Sequence, residues 1–484
     1  MNTPNIISSS ARLGVLSLCL AAAAACGVDS ETSVPEPSDS GTQAADIAVD
    51  SAAADVPDTA AEMDVSESDS TPPVDMGPDA STVDIADDVP DVEEAPEISE
   101  QPDVPDVEDT PDVPDAGPPY WPLLPEGYSQ SHFEEVPLDG EGKSVDLEAF
   151  APENTVSFVV MLSGGPKDVW MRMSKLLTPL GHPLIKSQGS VTCITCLNRT
   201  QADQILATTL VPNAPDVPFY SKGKYTLEVW QFSVTPINGQ FVTTEYTVTP
   251  ITARILWKQW PEEPTAGTLD LNLYFTGAGE ITAAVAEEHP RIVKMLAELQ
   301  TALAAAGIDI GEVRYLDAPA EAPSAIETTV GVDSDLAALL GSTPDAAAGI
   351  NLFFVSTIVK TELIDGSTGV VLGIAGGVPG PPWLEMGSPH SGVAVSLDDT
   401  EGVLDGEDGP QEKLGSVAAH ELGHYLGLYH TVEQDGDFDH IDDTAEDSEA
   451  ANLMYWAWTG AVDLTPGQGF VMLRHPSVWL KPGD

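Results

Sequence analysis

The sequence predicts an α/β (α+β) domain over residues 253–484, with a mixed, mostly parallel sheet and a histidine-bearing helix, preceded by a small β-sandwich over 119–252 and a disordered acidic linker over 26–118. Three observations lead there. After Pro264, alternating apolar residues give way to stretches of three-and-four periodicity and back again, the pattern of strands joined by crossover helices. Before it lie short β-branched and aromatic runs separated by Gly, Pro and Asn. Ahead of both, the composition cannot build a core. A chain of 484 residues also exceeds what one ordinary core fills.

At the N-terminus, Arg12 precedes an apolar run from Leu13 to Leu20, then Ala21 to Ala25 and Cys26. Residues 1–25 therefore read as a secretion signal, too short in its apolar part to span a bilayer. A cysteine directly after small residues resembles a lipobox. The resemblance implies cleavage before Cys26, lipidation of that residue and a membrane held through a lipid anchor, with Ala23 standing where the strongest lipoboxes have Leu. Gly27, in place of Asp, implies the outer membrane or cell surface; plain secretion is the alternative.

From Arg12 to Lys143 there is neither Lys nor Arg, and residues 27–118 hold 28 of the 78 acidic side chains. Asp-Val-Pro-Asp recurs at Asp55, Asp88, Asp103 and Asp112. Repulsion and proline keep such a tract extended, with a reach of roughly 3 Å per residue, so it reads as a solvated spacer. A net charge of −60 argues against nucleic acid as partner.

In the predicted sandwich, strands are expected at Thr155–Leu162, Tyr225–Val234 and Phe241–Val248. Cys193 and Cys196 form a CxxC; in an exported chain a local disulfide is the plain reading, since thioredoxin-like βαβ context and two further metal ligands are missing. In the second domain Leu269, Leu271, Leu273 and Phe275 alternate with polar residues as a half-buried strand. A helix is expected from Pro290 to a stop at Gly307, through Ile292, Met295, Leu296, Leu299 and Leu303. Strands follow at Val313–Leu316 and Ile350–Val355, and Gly392–Leu397 reads as one more short strand. The next helix starts near Pro410 and buries Leu414, Val417 and Leu422. Thr465-Pro466-Gly467-Gln468 opens a last helix toward Arg474.

That penultimate helix carries the chemistry. Residues 420–430 read HExxHxxGxxH, and five fixed residue types at these offsets arise by chance in roughly one chain of this length in ten thousand. His420 and His424, four apart on a helix, project from one face and can grip one cation. Glu421 puts a carboxylate at the edge of that face, within reach of a metal-held water. Gly427 can take the left-handed conformation that brings His430 back as third ligand. Three neutral imidazoles leave zinc its full charge and an open position, which marks a catalytic rather than a structural site. Water on such an ion falls from pKa about 16 to about 7.

Met454, in Asn452-Leu453-Met454-Tyr455-Trp456, follows His430 as a methionine turn would. With that turn the chain resembles the metzincin zinc peptidases over about residues 410–475. His440-Ile441-Asp442-Asp443-Thr444 makes it similar to the pappalysin-like group. The resemblance implies a zinc endopeptidase acting on protein or peptide substrates, with His420, His424 and His430 as ligands, Glu421 as general base and Met454 as a hydrophobic floor. It also implies that Gly392–Leu397 is an edge strand to which extended peptide adds; an ordinary edge strand is the alternative. A catalytically silent binding or adhesion lipoprotein is the alternative. Some metzincins place a tyrosine two residues after the methionine; here Trp456 stands there, and Tyr455 reads as a packed aromatic. Asp437, Asp439 and Asp443 are candidates for a calcium site, although His440 occupies the turn-glycine position of an EF-hand; His440 is alternatively an outer partner of the metal. His132, His182, His289, His390 and His475 read as structural or exposed.

Overall fold

The computed structural model describes residues 25–27, 124–186, 191–237, 240–328, 333–360, 369–400, 413–433, 438–444 and 451–482. The expected signal peptide and acidic linker lie outside them, save for Ala25–Gly27. Leu123–Asp484 belongs to one compact unit.

The strands, in chain order, are β1 (Ala25–Gly27), β2 (Tyr128–Val136), β3 (Leu147–Ala151), β4 (Thr155–Ser163), β5 (Trp170–Leu177), β6 (Pro183–Lys186), β7 (Thr192–Cys193), β8 (Thr200–Gln201), β9 (Asp203–Gln204), β10 (Leu206–Val211), β11 (Gly223–Ile237), β12 (Gln240–Tyr246) and β13 (Ile251–Gln259). Apart from β1, these strands form two larger antiparallel sheets, one in the order β10-β4-β13-β2, the other β12-β11-β5-β6 with β3 on β11 and β9 on β5, and a two-stranded pair β7-β8. The two larger sheets meet through Phe158 of β4, Tyr225 of β11 and Trp257 of β13, whose rings pack at 4.7 to 6.3 Å. An antiparallel sheet with one wet face alternates apolar and polar residues. Phe158 to Leu162 are instead all buried, because the second face of β4 and β13 is covered as well. Ser157 Oγ donates to Arg474 O at 2.6 Å. Lys258 Nζ, fully buried, donates to the carbonyls of Leu473, His475 and Val478 at 2.6, 2.8 and 2.6 Å. The boundary expected at residue 252 thus falls inside β13. Its register against β4 and β2 carries the sandwich on to Gln259.

The following part contains β14 (Gly267–Phe275), β15 (Ile308–Asp317), β16 (Ile326–Thr328), β17 (Ile350–Val355), β18 (Ile358–Lys360), β19 (Gly369–Ala375), β20 (Val393–Ser396) and β21 (Val478–Leu480), with helices α1 (Ala283–Ala286), α2 (Pro290–Ala305), α3 (Asp335–Leu340), α4 (Leu414–Tyr425) and α5 (Pro466–Arg474). The sheet runs β15-β14-β17-β20-β19-β18-β16. Its first four strands are parallel, β19 is antiparallel to both neighbours, and β1 and β21 add antiparallel to β19 and β14. Adjacent residues point to opposite faces, so the stacked pairs Tyr274–Phe353 and Phe275–Phe354 serve different layers. The first joins Leu336, Leu339 and Leu340 of α3; the second joins the layer of α2 and α4.

The Gly392–Leu397 expectation needs correction. β20 is a strand, but it is enclosed between β17 and β19 and wholly buried, so no peptide can add to it. A short apolar run carries no record of its neighbours, and the ends of the sheet are β15 and β16. Helix α2 begins with Pro290 at its first turn and buries Ile292, Met295, Leu299, Ala302 and Leu303 at helical spacing. It packs on α4, which in turn lies against β19 and β20. The described part of α4 starts at Leu414; the start expected near Pro410 lies outside the described residues.

Candidate metal centre

Every residue of α4 is buried, which fixes the helix between α2 and the sheet and leaves its side chains little freedom. After the cap residue Leu426 the chain enters the left-handed region at Gly427, φ 105°, and Leu428 N returns to Gly423 O at 3.0 Å. This reversal carries His430 over the end of the helix. His430 Nε2 lies 3.3 Å from His420 Nε2 and 3.2 Å from His424 Nε2.

These contacts are not hydrogen bonds, because the opposite ring nitrogens settle the tautomers. His420 Nδ1 donates to Leu453 O at 2.7 Å, His424 Nδ1 to Leu428 O at 2.8 Å, and His430 Nδ1 to the Glu433 carboxylate at 2.8 Å. Each Nε2 therefore turns a lone pair toward the other two. Three acceptors converging at such distances repel one another unless a cation lies between them. Two imidazoles bound tetrahedrally at about 2.0–2.1 Å would have their nitrogens about 3.3 Å apart, so the spacing fits zinc. Among the described residues these three histidines form a buried cluster able to hold a metal ion. Burial, then the neighbouring His430, pushes the His420 imidazole down to about 3; burial pushes His424 well below its usual range too. Both are neutral at neutral pH, as metal ligands must be.

Glu421 is fully buried beside His420. Burial raises its carboxyl well above the ordinary range, opposed by a hydrogen bond from the Ala375 backbone. Neither oxygen is engaged by another side chain, so the group is free to hold or release a proton. Gly373 on β19 makes room for it: a Cβ there would lie 2.6 Å from Glu421 Cγ and 2.9 Å from Oε1. On the other side of the helix Met454 is fully buried with Sδ against Gly423, 2.5 Å from where a Cβ would stand.

The Met454 turn is held from two directions. Met454 N bonds to Asn452 Oδ1 at 2.8 Å, and the amides of Asn452 and Gln468 exchange two hydrogen bonds at 2.9 and 3.0 Å. Gln468 also completes a capping box with Thr465 at the start of α5. The helix expected from Thr465 thus locks the turn that orients His420 through Leu453 O. Tyr455 and Trp456 are half-buried and lie ring to ring at 5.9 Å.

The remaining sequence candidates fall elsewhere. Asp437 lies outside the described residues. Asp439 accepts from Thr444 Oγ1 and Ile441 N within its own turn, and Asp443 accepts from Gly467 N at the start of α5. His440 lies with Arg199, Asn213, Tyr429 and Asp439 around a small cavity and is not a member of the three-histidine cluster. Cys193 and Cys196 are joined in a disulfide, Cα to Cα 5.4 Å. For Cys26 only the backbone, in β1, is described. His390 and His475 are buried and hydrogen-bonded to backbone carbonyls. Sequence reasoning missed Glu433 and Gly373, and the pairing of Asn452 with Gln468, which it read only as parts of a turn and of a helix start. An acidic residue three after His430 was a readable signal for the first; the others depend on tertiary contact.

No family model matches the chain, and no curated protein matches it. Among solved structures, metalloproteinase-II from Bacteroides fragilis is similar at 14% identity and a TM-score of 0.28, over 47% of this chain and 62% of its own length. A family two carbohydrate esterase from Cellvibrio japonicus is similar at 10% identity and a TM-score of 0.14, over 47% and 80%. This chain thus spans less than two thirds of the metalloproteinase, and at these scores neither similarity bears on activity.

Proposed function

We propose that this protein is a zinc endopeptidase of metzincin type. The observation that carries the reading is the convergence of three lone-pair-bearing Nε2 atoms, with a buried carboxylate at Glu421, engaged by no other side chain, beside them and Met454 beneath. When bound, zinc supplies a Lewis acid that activates water and polarises a peptide carbonyl. His420, His424 and His430 hold it, kept in the right tautomer by Leu453 O, Leu428 O and Glu433. Glu421 takes the proton from the attacking water and hands it to the departing amide nitrogen, a role that suits a carboxyl whose proton affinity is raised by burial. Met454 and the α2 layer fix the helix, so that Glu421 and the imidazoles keep their relative positions during proton transfer. The reading includes a pappalysin-like relationship, which rests on the segment 440–444 and the Asn-Leu-Met turn. It also includes a lipid tether at Cys26, which rests on the sequence before that residue.

The test is zinc content and cleavage of unstructured protein substrates, with and without chelator, for the wild type and Glu421→Gln. One zinc per chain is expected. Cleavage should stop with chelator, and the variant should keep its zinc while losing at least about a hundredfold in rate. Zinc bound without cleavage of any substrate would favour a silent binding protein, and no zinc would sink both. The tether is tested separately: Cys26→Ser should leave the membrane fraction.

A further inference from the structure

We infer that Glu433 and Arg199 are positioning residues for the third metal ligand, so that the β-sandwich contributes to the metal centre. The inference rests on the metal-binding half of the reading above and not on peptidase activity.

The three ligands are oriented unequally. His420 and His424 donate to neutral backbone carbonyls, whereas His430 donates to a carboxylate. A carboxylate partner makes an imidazole a stronger electron donor and offsets part of the ion's charge. His430 also has most need of such a partner, since it stands beyond the end of α4 on a reversed segment rather than on the helix. Glu433 is itself held. Its other oxygen, Oε1, lies 3.8 Å from Arg199 Nη2, with both side chains nearly buried at 10% and 6% exposure. The Arg199 guanidinium lies over the ring of Tyr429, 3.9 Å from its centroid, and Tyr429 adjoins the ligand in sequence. Arg199 thus touches the segment on both sides of His430.

Its own position is fixed from within the sandwich. Asn213 Nδ2 donates to Arg199 O at 2.7 Å, Asn213 N donates to Asn198 Oδ1 at 3.2 Å, and Asn198 Nδ2 donates to Leu210 O at 2.9 Å. The Cys193–Cys196 disulfide closes the turn just before this pair. A chain of contacts therefore runs from a disulfide loop in one layer to a metal ligand in another.

The experiment measures zinc affinity of the purified chain by competition with a chromophoric chelator, together with the melting temperature of the metal-free form and the visible spectrum of the cobalt(II) form. Glu433→Ala is expected to weaken zinc binding about ten- to a hundredfold. Glu433→Gln, which keeps an acceptor and loses the charge, should weaken it less and shift the cobalt bands. Arg199→Met, similar in length and still packed on Tyr429, should weaken it several-fold, and far less when Glu433 is already Gln. The inference is overturned if Glu433→Gln and Arg199→Met bind zinc and colour cobalt as the wild type does, whatever their metal-free melting temperatures. A wild type that binds no zinc removes the reading beneath it. Affinity losses in a protein that cleaves nothing leave this inference standing and remove only the peptidase.

Discussion

At the scale of single residues, the clustered histidines and Glu421 were legible because helical geometry makes their spacing local: four residues on α4 place two imidazoles on one face without help from the rest of the fold. Gly373 was invisible for the opposite reason. It matters only because β19 passes over Glu421, and Gly373→Ala should displace that carboxylate, lowering kcat/KM about ten- to a hundredfold while zinc content stays at the wild-type level; loss of zinc instead would show that the helix itself had moved. His475 offers a pH test. Its Nε2 donates to Gly380 O and its Nδ1 accepts from Ser477 N, so the neutral ring is satisfied, and burial pushes its pKa down to about 3. Unfolding returns it to about 6.5. The unfolded chain then binds the extra proton, so this group's contribution is complete above about pH 6.5 and is lost as pH falls toward 3. In chelator, stability of the wild type should fall between pH 7 and 5 by about 2 kcal/mol more than that of His475→Gln, as read from urea midpoints at each pH; parallel curves would contradict this.

Elements were legible where their ends are marked by side chains. Pro290 opens α2 and the Thr465–Gln468 box opens α5, both as the sequence indicates, because capping is chemistry between residues a few positions apart. Strand neighbours are not encoded that way. The run Val393–Ser396 reads the same at an edge or in the middle of a sheet, which is why β20 was expected at the rim and lies inside. The other element-scale surprise is Lys258, a buried cation on β13 that pairs the carbonyls of Leu473 in α5, His475 at its cap and Val478 in β21. Burial drives its pKa well below the usual range, while three accepting carbonyls favour the ammonium. Lys258→Met leaves those carbonyls unpaired and should cost about 3–5 kcal/mol in urea unfolding, with zinc affinity of the folded fraction preserved. A cost under 1 kcal/mol would mean that the carbonyls find other donors.

For the molecule as a whole, the fold class was legible from periodicity, whereas the separation into a sandwich and an α/β part was drawn too sharply, since the covering of both faces of β4 and β13 appears only in three dimensions. Residues 123–484 should accordingly unfold in one calorimetric transition, its midpoint raised by zinc and lowered by chelator as mass action requires; two transitions would restore the independent sandwich. The doubly covered sheet has a bearing on engineering and on descent. An α/β unit cut at Gln259 and grafted to another leader would expose an apolar seam with the Lys258 sockets empty, so the histidine helix is not portable. New variants of this architecture are then expected to change by insertion into its loops rather than by exchange of its halves.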